Sequence, residues 1–506
     1  MNPEIDVPAA FQASTPASRA YGVLAAVCLA ALILPLTFVG VAVATPAIAR
    51  ELGGSPMALS WVTNAFMLTF GSALMAAGTL ADEYGRKRVF SLGVGLFALT
   101  SLALAFAPSV LWLDGWRALQ GLAGAAALAG GSAALAQEFE GRARTRAFSL
   151  LGTTFGVGLA FGPLLAGVLI EHYGWRAIFI SGTLIGALSL LFGVPRMHES
   201  RDPDAAGVDW PGTLSFTAAL VLFTWGVLQA PQSGWGSVLV QSLLWGSLLA
   251  LLGFIGIESR VKRPMLDLSL FRYPRFVGVQ VLPIATCYCF VVLLILLPIR
   301  FIGVEGYSEI EAGLMMMALS APMLVVPLLA AWLTRWVSSR VLCSTGLVIA
   351  AFGLYLLSQL PVGQPAANVL PMLLIGLGAG LPWGLMDGLS VSVVPKERAG
   401  MATGIFSTTR VAGEGIALAL VVALLAGLLQ HSLGAALVDS AQIPLAAQQL
   451  ANGNLQASSA LLPDVGRAAL LQLYVEAFGQ LLRVLIGITL VSALAVWLAL
   501  REPARP

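Results

Sequence analysis

Long apolar runs separated by short polar segments dominate the chain. A helix that crosses a bilayer needs about 20 mostly apolar residues. Fourteen runs fit such a helix, and each is predicted to be a membrane-spanning α-helix: 21–48, 57–81, 89–107, 110–136, 147–170, 175–195, 210–230, 236–257, 277–302, 311–334, 340–360, 367–394, 400–429 and 481–500. The first run is far too long for the apolar part of a signal peptide, so we expect a retained helix.

The positive charges predict the orientation of these spans. An even number of spans places both ends of the chain on one side of the membrane. With the N-terminus in the cytoplasm, most of the 27 Lys and Arg residues fall on the cytoplasmic side. The exceptions at outer helix ends are Arg50, Arg176, Arg300, Arg467 and Arg483. Cytoplasmic loops are normally rich in Lys and Arg, so we expect both termini to be cytoplasmic.

The spans divide the chain into four regions. Residues 1–20 form a cytoplasmic tail, and residues 21–195 form a bundle of six helices. Residues 196–276 form a linker that contains spans seven and eight. Residues 277–506 form a second six-helix bundle, interrupted by an external segment at 430–479 that is compatible in parts with an amphipathic helix. The predicted fold class is therefore an all-α membrane protein with two six-helix bundles and an extra central helix pair.

Composition excludes several function classes. Hydrophobic residues make up 58% of the chain and charged residues 10%, against roughly 25% charged in soluble domains. A net charge of +2 does not suggest a nucleic-acid partner. We find no phosphate-binding loop, dinucleotide fingerprint or Cys/His metal-ligand spacing. The sequence predicts no enzyme, no cofactor and no metal, and an ion gradient is the expected driving force.

A charged turn lies between the second and third spans. It contains Gly78, Asp82, Gly85, Arg86 and Arg88. Gly78 is expected to allow close helix contact, Gly85 to permit a tight turn, and Asp82 to hold the loop through the basic residues. A charge cluster at a helix end is usually just a solvated loop. This arrangement, however, resembles the loop 2–3 motif of the major facilitator superfamily of transporters.

Further stretches resemble one branch of that superfamily. Arg117 and Gln120 match a span-four pattern, and Gly158, Gly162, Pro163 and Gly167 match the span-five antiporter pattern. These glycines suit either helix packing alone or a role in coupling. Six other stretches are similar to the fourteen-helix drug:proton antiporters of the EmrB/QacA type: 61–68, 175–179, 208–212, 263–271, 400–404 and 410–415.

The first span departs from that branch. The resemblance implies an aspartate and an asparagine in this helix, but Thr37 and Ala42 occupy those positions. The first helix therefore has no carboxylate that could carry a proton or attract a cationic compound. This change puts the transfer of the branch's mechanism in doubt.

Buried acids are the candidate proton carriers. Asp387 and Glu414 lie deep within spans, and Asp114 lies near the outer end of span four. At about 1.5 Å per residue, Asp387 and Arg410 lie at similar depths on consecutive spans, and Glu414 is one turn beyond Arg410. We hypothesise a triad in which Arg410 pairs with one carboxylate at a time while the other binds a proton. The alternative is a static ion-pair network. Arg117 is expected either to pair with Asp114 or to bond to nearby backbone.

Several other side chains are candidates for lining a substrate cavity. For each of them, core packing or contact with lipid is the alternative interpretation. They are Thr37, Phe38, Trp61, Asn64, Gln120 and Trp383.

The resemblance implies proton-coupled export, by alternating access, of amphipathic or hydrophobic small molecules such as drugs, toxins or secreted metabolites. The expected location is a bacterial inner membrane, as a monomer in the lipid bilayer. In a Gram-negative host it also implies a periplasmic adaptor and an outer-membrane channel. One alternative is proton-coupled uptake of an organic anion, since Arg117 and Arg410 are present and the first helix has no acid. Another alternative is a receptor that transports nothing.

Overall fold

The computed structural model describes residues 17–139, 141–201, 207–261, 264, 266, 268–360, 363–393, 399–436 and 442–501. Most of the predicted tail 1–20 lies outside these residues, as do 202–206, 394–398 and four residues of 262–267. Within the described residues the chain is helical, and fourteen helical segments are long and apolar enough to cross a membrane. The predictions of an all-α protein and of fourteen spans are confirmed.

Each of the first eight spans is a single helix. These helices are α1 (Ala17–Leu52), α2 (Pro56–Tyr84), α3 (Arg86–Ala105), α4 (Val110–Glu138), α5 (Gly141–Tyr173), α6 (Arg176–Phe192), α7 (Trp210–Ser233) and α8 (Val238–Glu258).

Spans nine and ten are interrupted. Span nine comprises α9 (Pro274–Thr286), a π-helical turn (Cys287–Val291), α10 (Val292–Pro298) and a second π-helical segment (Ile299–Glu305). Span ten comprises α11 (Glu309–Ser320) and α12 (Pro322–Leu333). The break falls at Ala321, directly before a proline that has no backbone N–H to donate.

The remaining helices include four spans and two short external helices. They are α13 (Ser339–Ser358), α14 (Pro365–Ser392), α15 (Ala399–Ala436), α16 (Ile443–Ala451), α17 (Leu455–Leu461) and α18 (Arg467–Ala499). Short 3₁₀ turns lie at Val194–Arg196 and Leu268–Arg272.

Capping residues set several helix starts. The side chain of Ser55 accepts a hydrogen bond from the backbone N–H of Ala58, and Pro56 occupies the first turn of α2. At α11, Ser308 and Glu311 form a reciprocal capping box. These local signals fix where α2 and α11 begin.

Consecutive spans run in opposite directions, so the turns alternate between two ends of the bundle. We call the end with the Tyr84–Arg86 turn, the start of α13 and the end of α18 the basic end. The opposite end, which carries the α1–α2 turn, the α10–α11 turn and residues 442–466, is the loop end.

The helices pack as two groups with a pair beside them. In the first group, α2 and α3 pack on α4, and α1 packs on α5 and α6. In the second, α13 packs on α14 and α18, while α9 contacts α14, α15 and α18. The groups meet where α5 crosses α11 and where α2 crosses α15. The extra helices α7 and α8 pack on each other, and α7 lies along α2 and α15.

The external segment differs from the sequence prediction. Helix α15 continues to Ala436 and α18 begins at Arg467, so parts of 430–479 belong to two long helices. The helix that contains the predicted span 481–500 thus begins 14 residues before that span. Helix α18 has 33 residues, about 50 Å at 1.5 Å per residue, so it extends beyond a hydrocarbon core of about 30 Å. Its extra turns are held because Leu470, Tyr474 and Phe478 are buried at helical spacing.

Candidate functional site

Two members of the predicted triad form an ion pair between neighbouring helices. Arg410 on α15 donates from Nη1 to Oδ1 of Asp387 on α14 at 3.3 Å, and Oδ2 is 3.5 Å away. The side chain of Asp387 is 62% exposed and that of Arg410 is 23% exposed. Asp387 lies five residues before the end of α14, in the half of the molecule nearest the basic end. Both side chains of the ion pair are therefore partly accessible from outside the protein.

Glu414 lies one helical turn beyond Arg410 towards the loop end. Its side chain is partly buried, and it hydrogen-bonds to none of the residues that the structure describes. The charge of Arg410 acts on it, and Cys287 in the π-helical turn of span nine lies nearby. The structure thus brings Asp387 and Arg410 into contact and leaves Glu414 beside them.

Arg117 lies in a buried hydrogen-bond network within the first group of helices. Its Nε donates to the backbone oxygen of Val62 at 2.8 Å, and its Nη1 donates to Oε1 of Gln120 at 2.6 Å. Gln120 in turn donates to the hydroxyl of Ser101 at 2.7 Å. The guanidinium also lies over the ring of Phe66, 4.3 Å from its centroid.

Of the two alternatives predicted for Arg117, the structure shows the hydrogen bond to backbone and not the ion pair with Asp114. Asp114 lies near enough to interact electrostatically, but the described residues include no carboxylate within ion-pair distance of Arg117. The guanidinium of Arg117 instead donates to the backbone oxygen of Val62 and to the side chain of Gln120, which lie on the side that it faces. Arg117 therefore stabilises the contacts among α2, α3 and α4.

The charged turn between α2 and α3 is held by two carboxylates. Asp82 accepts hydrogen bonds from Nε and Nη2 of Arg86 at 3.1 and 2.9 Å. Glu199 accepts from the backbone N–H of Lys87 at 3.2 Å and lies 3.5 Å from Arg88. Gly85 has φ +114°, and a Cβ there would collide with Glu199, so glycine is required.

The prediction for Gly78 in the same motif is wrong. A Cβ on Gly78 would meet no atom within 4 Å, so this glycine does not mediate close helix contact. Its position near the end of α2 faces open space instead of a neighbouring helix.

The glycines of α5 permit close approach to two helices. A Cβ on Gly158 would collide with Pro35 of α1, and Gly162 faces Val39 of the same helix. One turn past Pro163, Gly167 lies against the backbone oxygen of Glu309 at the start of α11. The motif therefore joins α5 to its own bundle on one side and to the second group of helices on the other.

The predicted cavity residues lie in several different environments. Thr37, Phe38 and Gln120 are buried. Trp383 makes an edge-to-face contact with Phe290, with 6.2 Å between ring centroids. Trp61 packs against residues of α7 and α15, and Asn64 lines a crevice between α2, α7 and α15.

Sequence reasoning missed a buried ion pair at the end of span nine. Nε of Arg300 donates to Oε1 of Glu305 at 2.6 Å, and each side chain is only 2% exposed. The guanidinium lies 4.9 Å from the ring centroid of Phe478 on α18. Arg300 was assigned to an outer helix end because the predicted span stopped at residue 302. An Arg and a Glu five residues apart at the end of an unbroken apolar run were the available signal.

Three polar atoms at this site have no hydrogen-bond partner among the described residues, and two of them belong to the ion pair itself. They are Nη2 of Arg300, Oε2 of Glu305 and the hydroxyl of Tyr474, all buried and without a hydrogen-bond partner among the described residues. The pair is thus strongly enclosed but incompletely hydrogen-bonded.

Contacts across the loop end join the two groups of helices. Arg50 of α1 bonds to Glu309 of α11 at 2.8 Å, and Glu171 of α5 accepts from the backbone N–H of Ile310 at 3.2 Å. Asn452, just after α16, donates to the backbone oxygen of Pro56 at 2.8 Å and accepts from Ser60 at 3.2 Å.

The next residue after Asn452 contacts the other group of helices. Gly453 has φ +79°, and its backbone touches Gly303 so closely that a Cβ on Gly303 would collide with it. The external segment therefore bridges α2 and span nine, and the loop end is closed.

Comparison with known proteins places the chain among transporters. A family model described as Major Facilitator Superfamily matches residues 27–418. The cephamycin export protein CmcT of Amycolatopsis lactamdurans is 36% identical over 391 residues, which cover 76% of this chain and 80% of that protein. The multidrug resistance protein Stp of Mycobacterium tuberculosis is 33% identical over 393 residues, which cover 77% of this chain and 73% of that protein.

Another relative is the tetracenomycin C resistance and export protein of Streptomyces glaucescens. It is 30% identical over 422 residues, which cover 82% of this chain and 78% of that protein. Among solved structures, a bacterial homologue of the human lysosomal transporter Spinster, inward-facing and unoccupied, superposes with a TM-score of 0.66. It is 15% identical, and the match covers 96% of this chain and 97% of that one, so it supports the fold alone.

Proposed function

Because the chain belongs to the major facilitator superfamily, we propose that it exports amphipathic or hydrophobic small molecules in exchange for protons. The chain is a multi-pass membrane protein and an efflux transporter, not an enzyme. Relatives named for the export of cephamycin and tetracenomycin C support secreted metabolites or drugs as the substrate class.

The proposed location is a bacterial inner membrane, with the basic end in the cytoplasm. The charged turn at Arg86–Arg88 supports this orientation, because cytoplasmic loops are enriched in Lys and Arg. The closed loop end would then face away from the cytoplasm, and export would require it to open.

The observation that carries proton coupling is the ion pair between Asp387 and Arg410 beside Glu414. Arg410 and Glu414 are one turn apart on α15, so a rotation of the arginine side chain would move it from one carboxylate to the other. The carboxylate that loses Arg410 can take up a proton. A charged acid without a partner is more costly at Glu414, whose side chain is partly buried, than at Asp387, whose side chain is 62% exposed. In the proposed cycle, the two carboxylates therefore compete for one guanidinium.

Alternating access supplies the directional step. The two groups of helices meet at the α5–α11 and α2–α15 crossings, and rocking about these contacts would open the loop end while closing the basic end. The bonds from Arg50 and Asn452 across the loop end would break in that step and re-form on return.

The geometry argues against uptake of an organic anion. That alternative needs Arg117 as an anion-binding group. Two of its nitrogens already bond to Val62 and Gln120, and its guanidinium stacks on Phe66. Arg410 is engaged by Asp387.

The test is proton release from purified protein in detergent when substrate is added. The compounds are a panel of lipophilic cations, neutral compounds and organic anions, including puromycin. Wild type is compared with Asp387→Asn, Glu414→Gln and the control Glu83→Gln, which removes a carboxylate at the basic end outside the triad. We expect a lipophilic compound to release protons from wild type and the control.

One triad variant should still bind that compound without releasing protons, which would identify the proton carrier. Wild-type release in both triad variants would show that the triad is only structural. Binding without any proton release in wild type would refute proton coupling itself.

A further inference from the structure

The buried ion pair at the end of span nine joins two residues that are five positions apart. Arg300 and Glu305 both lie in the π-helical segment Ile299–Glu305. In an α-helix, side chains three or four residues apart are neighbours, whereas residues five apart face directions about 140° apart. A π-helix bonds each residue to the fifth residue along the chain, which brings both side chains to one side. The contact of 2.6 Å between Nε and Oε1 therefore stabilises the π form relative to an α-helix.

Burial makes this pair a strong constraint on the segment. Each side chain is only 2% exposed, and a buried charge that loses its partner is costly. An α-helical form would draw Arg300 and Glu305 apart. Nη2, Oε2 and the hydroxyl of Tyr474 have no hydrogen-bond partner among the described residues, so each can bind water when the ion pair breaks. The segment can therefore become α-helical only when water replaces the direct contact between the two charges.

The same segment carries a contact that closes the loop end. Gly303 lies within it, and a Cβ on Gly303 would collide with the backbone of Gly453 in the external segment. A Cβ on Gly453 would in turn lie 2.8 Å from the backbone oxygen of Ile299. The π-helical segment also packs on α1 of the first group of helices. It is therefore the surface of span nine on which the external segment rests.

A change of helical form would break this contact. The number of residues per turn sets the direction that each later residue faces, so an α-helical form would rotate Gly303 relative to the start of the segment. Gly453 lies against both Ile299 and Gly303 in the present arrangement. Its neighbour Asn452, which donates to the backbone oxygen of Pro56 at 2.8 Å, would move with it. The two groups of helices would then lose this bridge across the loop end.

We propose that Arg300 and Glu305 hold the end of span nine in the π form and thereby keep the loop end closed. The loop end then opens when this segment becomes α-helical. The two residues are positioning residues for export, since they act through the external segment and not on the substrate. The proposal rests on the alternating access proposed above. A purely structural pair would stabilise the fold without changing how often the loop end opens.

Distances between spin labels across the loop end test the proposal. Tyr173 at the end of α5 and Ala468 at the start of α18 are exposed and belong to different groups of helices. Cysteines replace both residues in a Cys28→Ala background, and the other three native cysteines are buried. Pulsed electron paramagnetic resonance of the full-length protein in lipid nanodiscs then gives the ratio of molecules with an open and a closed loop end.

Two double variants change the ion pair in different ways. Val304→Glu/Glu305→Val moves the carboxylate to the fourth residue after Arg300, a spacing that pairs the charges in an α-helix. Arg300→Met/Glu305→Gln removes both charges and with them the preference for the π form. It buries no charge, so it tests the proposal even where the first variant does not fold. Arg176→Met/Glu51→Gln is the matched control, because this ion pair lies at the loop end within the first group of helices.

We expect both variants of the Arg300–Glu305 pair to raise the ratio of open to closed molecules by at least about tenfold. This shift corresponds to the loss of one hydrogen bond between charged groups. The control should keep the wild-type distance distribution. Monodisperse elution of each variant checks its folding.

A wild-type ratio in the folded variants would overturn the proposal and leave the pair with a structural role. An increase in Arg300→Met/Glu305→Gln without one in folded Val304→Glu/Glu305→Val would overturn the role of the helical form. An equal increase in the control would also overturn the proposal, because any broken ion pair at the loop end would then open it. These distances need neither substrate nor a proton gradient, so each result is separate from the proton-release test of export.

Discussion

Glu305→Gln should strongly destabilise the folded protein, because it leaves the guanidinium of Arg300 buried without a counter-charge. Both side chains are only 2% exposed, and Nη2 of Arg300 already has no partner among the described residues. An arginine cannot lose its charge by giving up a proton. The folded state of this variant would therefore retain an uncompensated buried cation.

The expected cost follows from that burial. Removing one member of a buried ion pair typically costs roughly 3–5 kcal/mol, which raises the ratio of unfolded to folded protein by roughly 10²- to almost 10⁴-fold. Arg300→Met should cost less, because Glu305 can become neutral by binding a proton. The double variant Arg300→Met/Glu305→Gln should also be more stable than Glu305→Gln alone, since it buries no charge.

Thiol exposure during denaturant titration in mixed micelles measures these differences. All four cysteines are free, and Cys287, Cys289 and Cys343 are buried, so a thiol-reactive dye reports unfolding. Glu309→Gln is the control, because it breaks the pair with Arg50, whose side chain is 62% exposed. An exposed pair of this kind contributes at most about 1 kcal/mol.

Two results would refute the reasoning. If Glu305→Gln unfolds at the same denaturant concentration as the control, water must reach the pair and the burial argument fails. If the double variant loses as much stability as both single variants together, the two charges do not compensate each other.

Three further predictions concern movement and packing. Cysteines that replace Ser60 and Asn452, whose side-chain oxygens lie 3.2 Å apart, should stop export when a short, reducible bifunctional thiol reagent links them. Export by the linked protein would show that this contact need not open. Gly313→Ala places a Cβ 2.9 Å from the backbone of α5 and should lower the stability of the protein by about 1–3 kcal/mol in the same unfolding assay. Gly427→Ala is the control, because its Cβ would have no atom within 4 Å and should not lower the stability. Equal stability of the two variants would contradict the close-packing argument. Asp82→Asn removes the carboxylate that pairs with Arg86 and is 41% exposed, so the free energy of unfolding should change by less than about 1 kcal/mol. Export measured in vesicles should nevertheless slow. Unchanged export would exclude a conformational role for this carboxylate.

The spans could be predicted because bilayer thickness imposes a length on every apolar run. The helices of spans nine and fourteen extend beyond the predicted spans for one physical reason. Polar residues such as Glu305, Gln472 and Glu476 interrupt the apolar pattern, so the sequence predicts a loop there when burial by neighbouring helices is unknown. Tyr474 and Phe478 cover Arg300 from a helix far away in the sequence, and that contact is tertiary.

The candidate triad could be predicted in part for a similar reason. Depth along consecutive helices placed Asp387 and Arg410 at one level, and helix periodicity placed Glu414 near Arg410. Periodicity does not give the rotation of a helix relative to its neighbours. For that reason the sequence could not show that Asn64 and Trp61, predicted to line a substrate cavity, lie where α2 meets α7 and α15.

The bridge that Asn452 and Gly453 make across the loop end has a consequence for leakage. If the two hydrogen bonds of Asn452 each contribute about 1 kcal/mol, they would alone hold the open form of that end to roughly a few per cent of molecules at rest. An exporter works against a concentration gradient, and an end left open would let expelled compounds return. The external segment would then limit the return of expelled compounds, and each transport cycle would be slower because these hydrogen bonds must break.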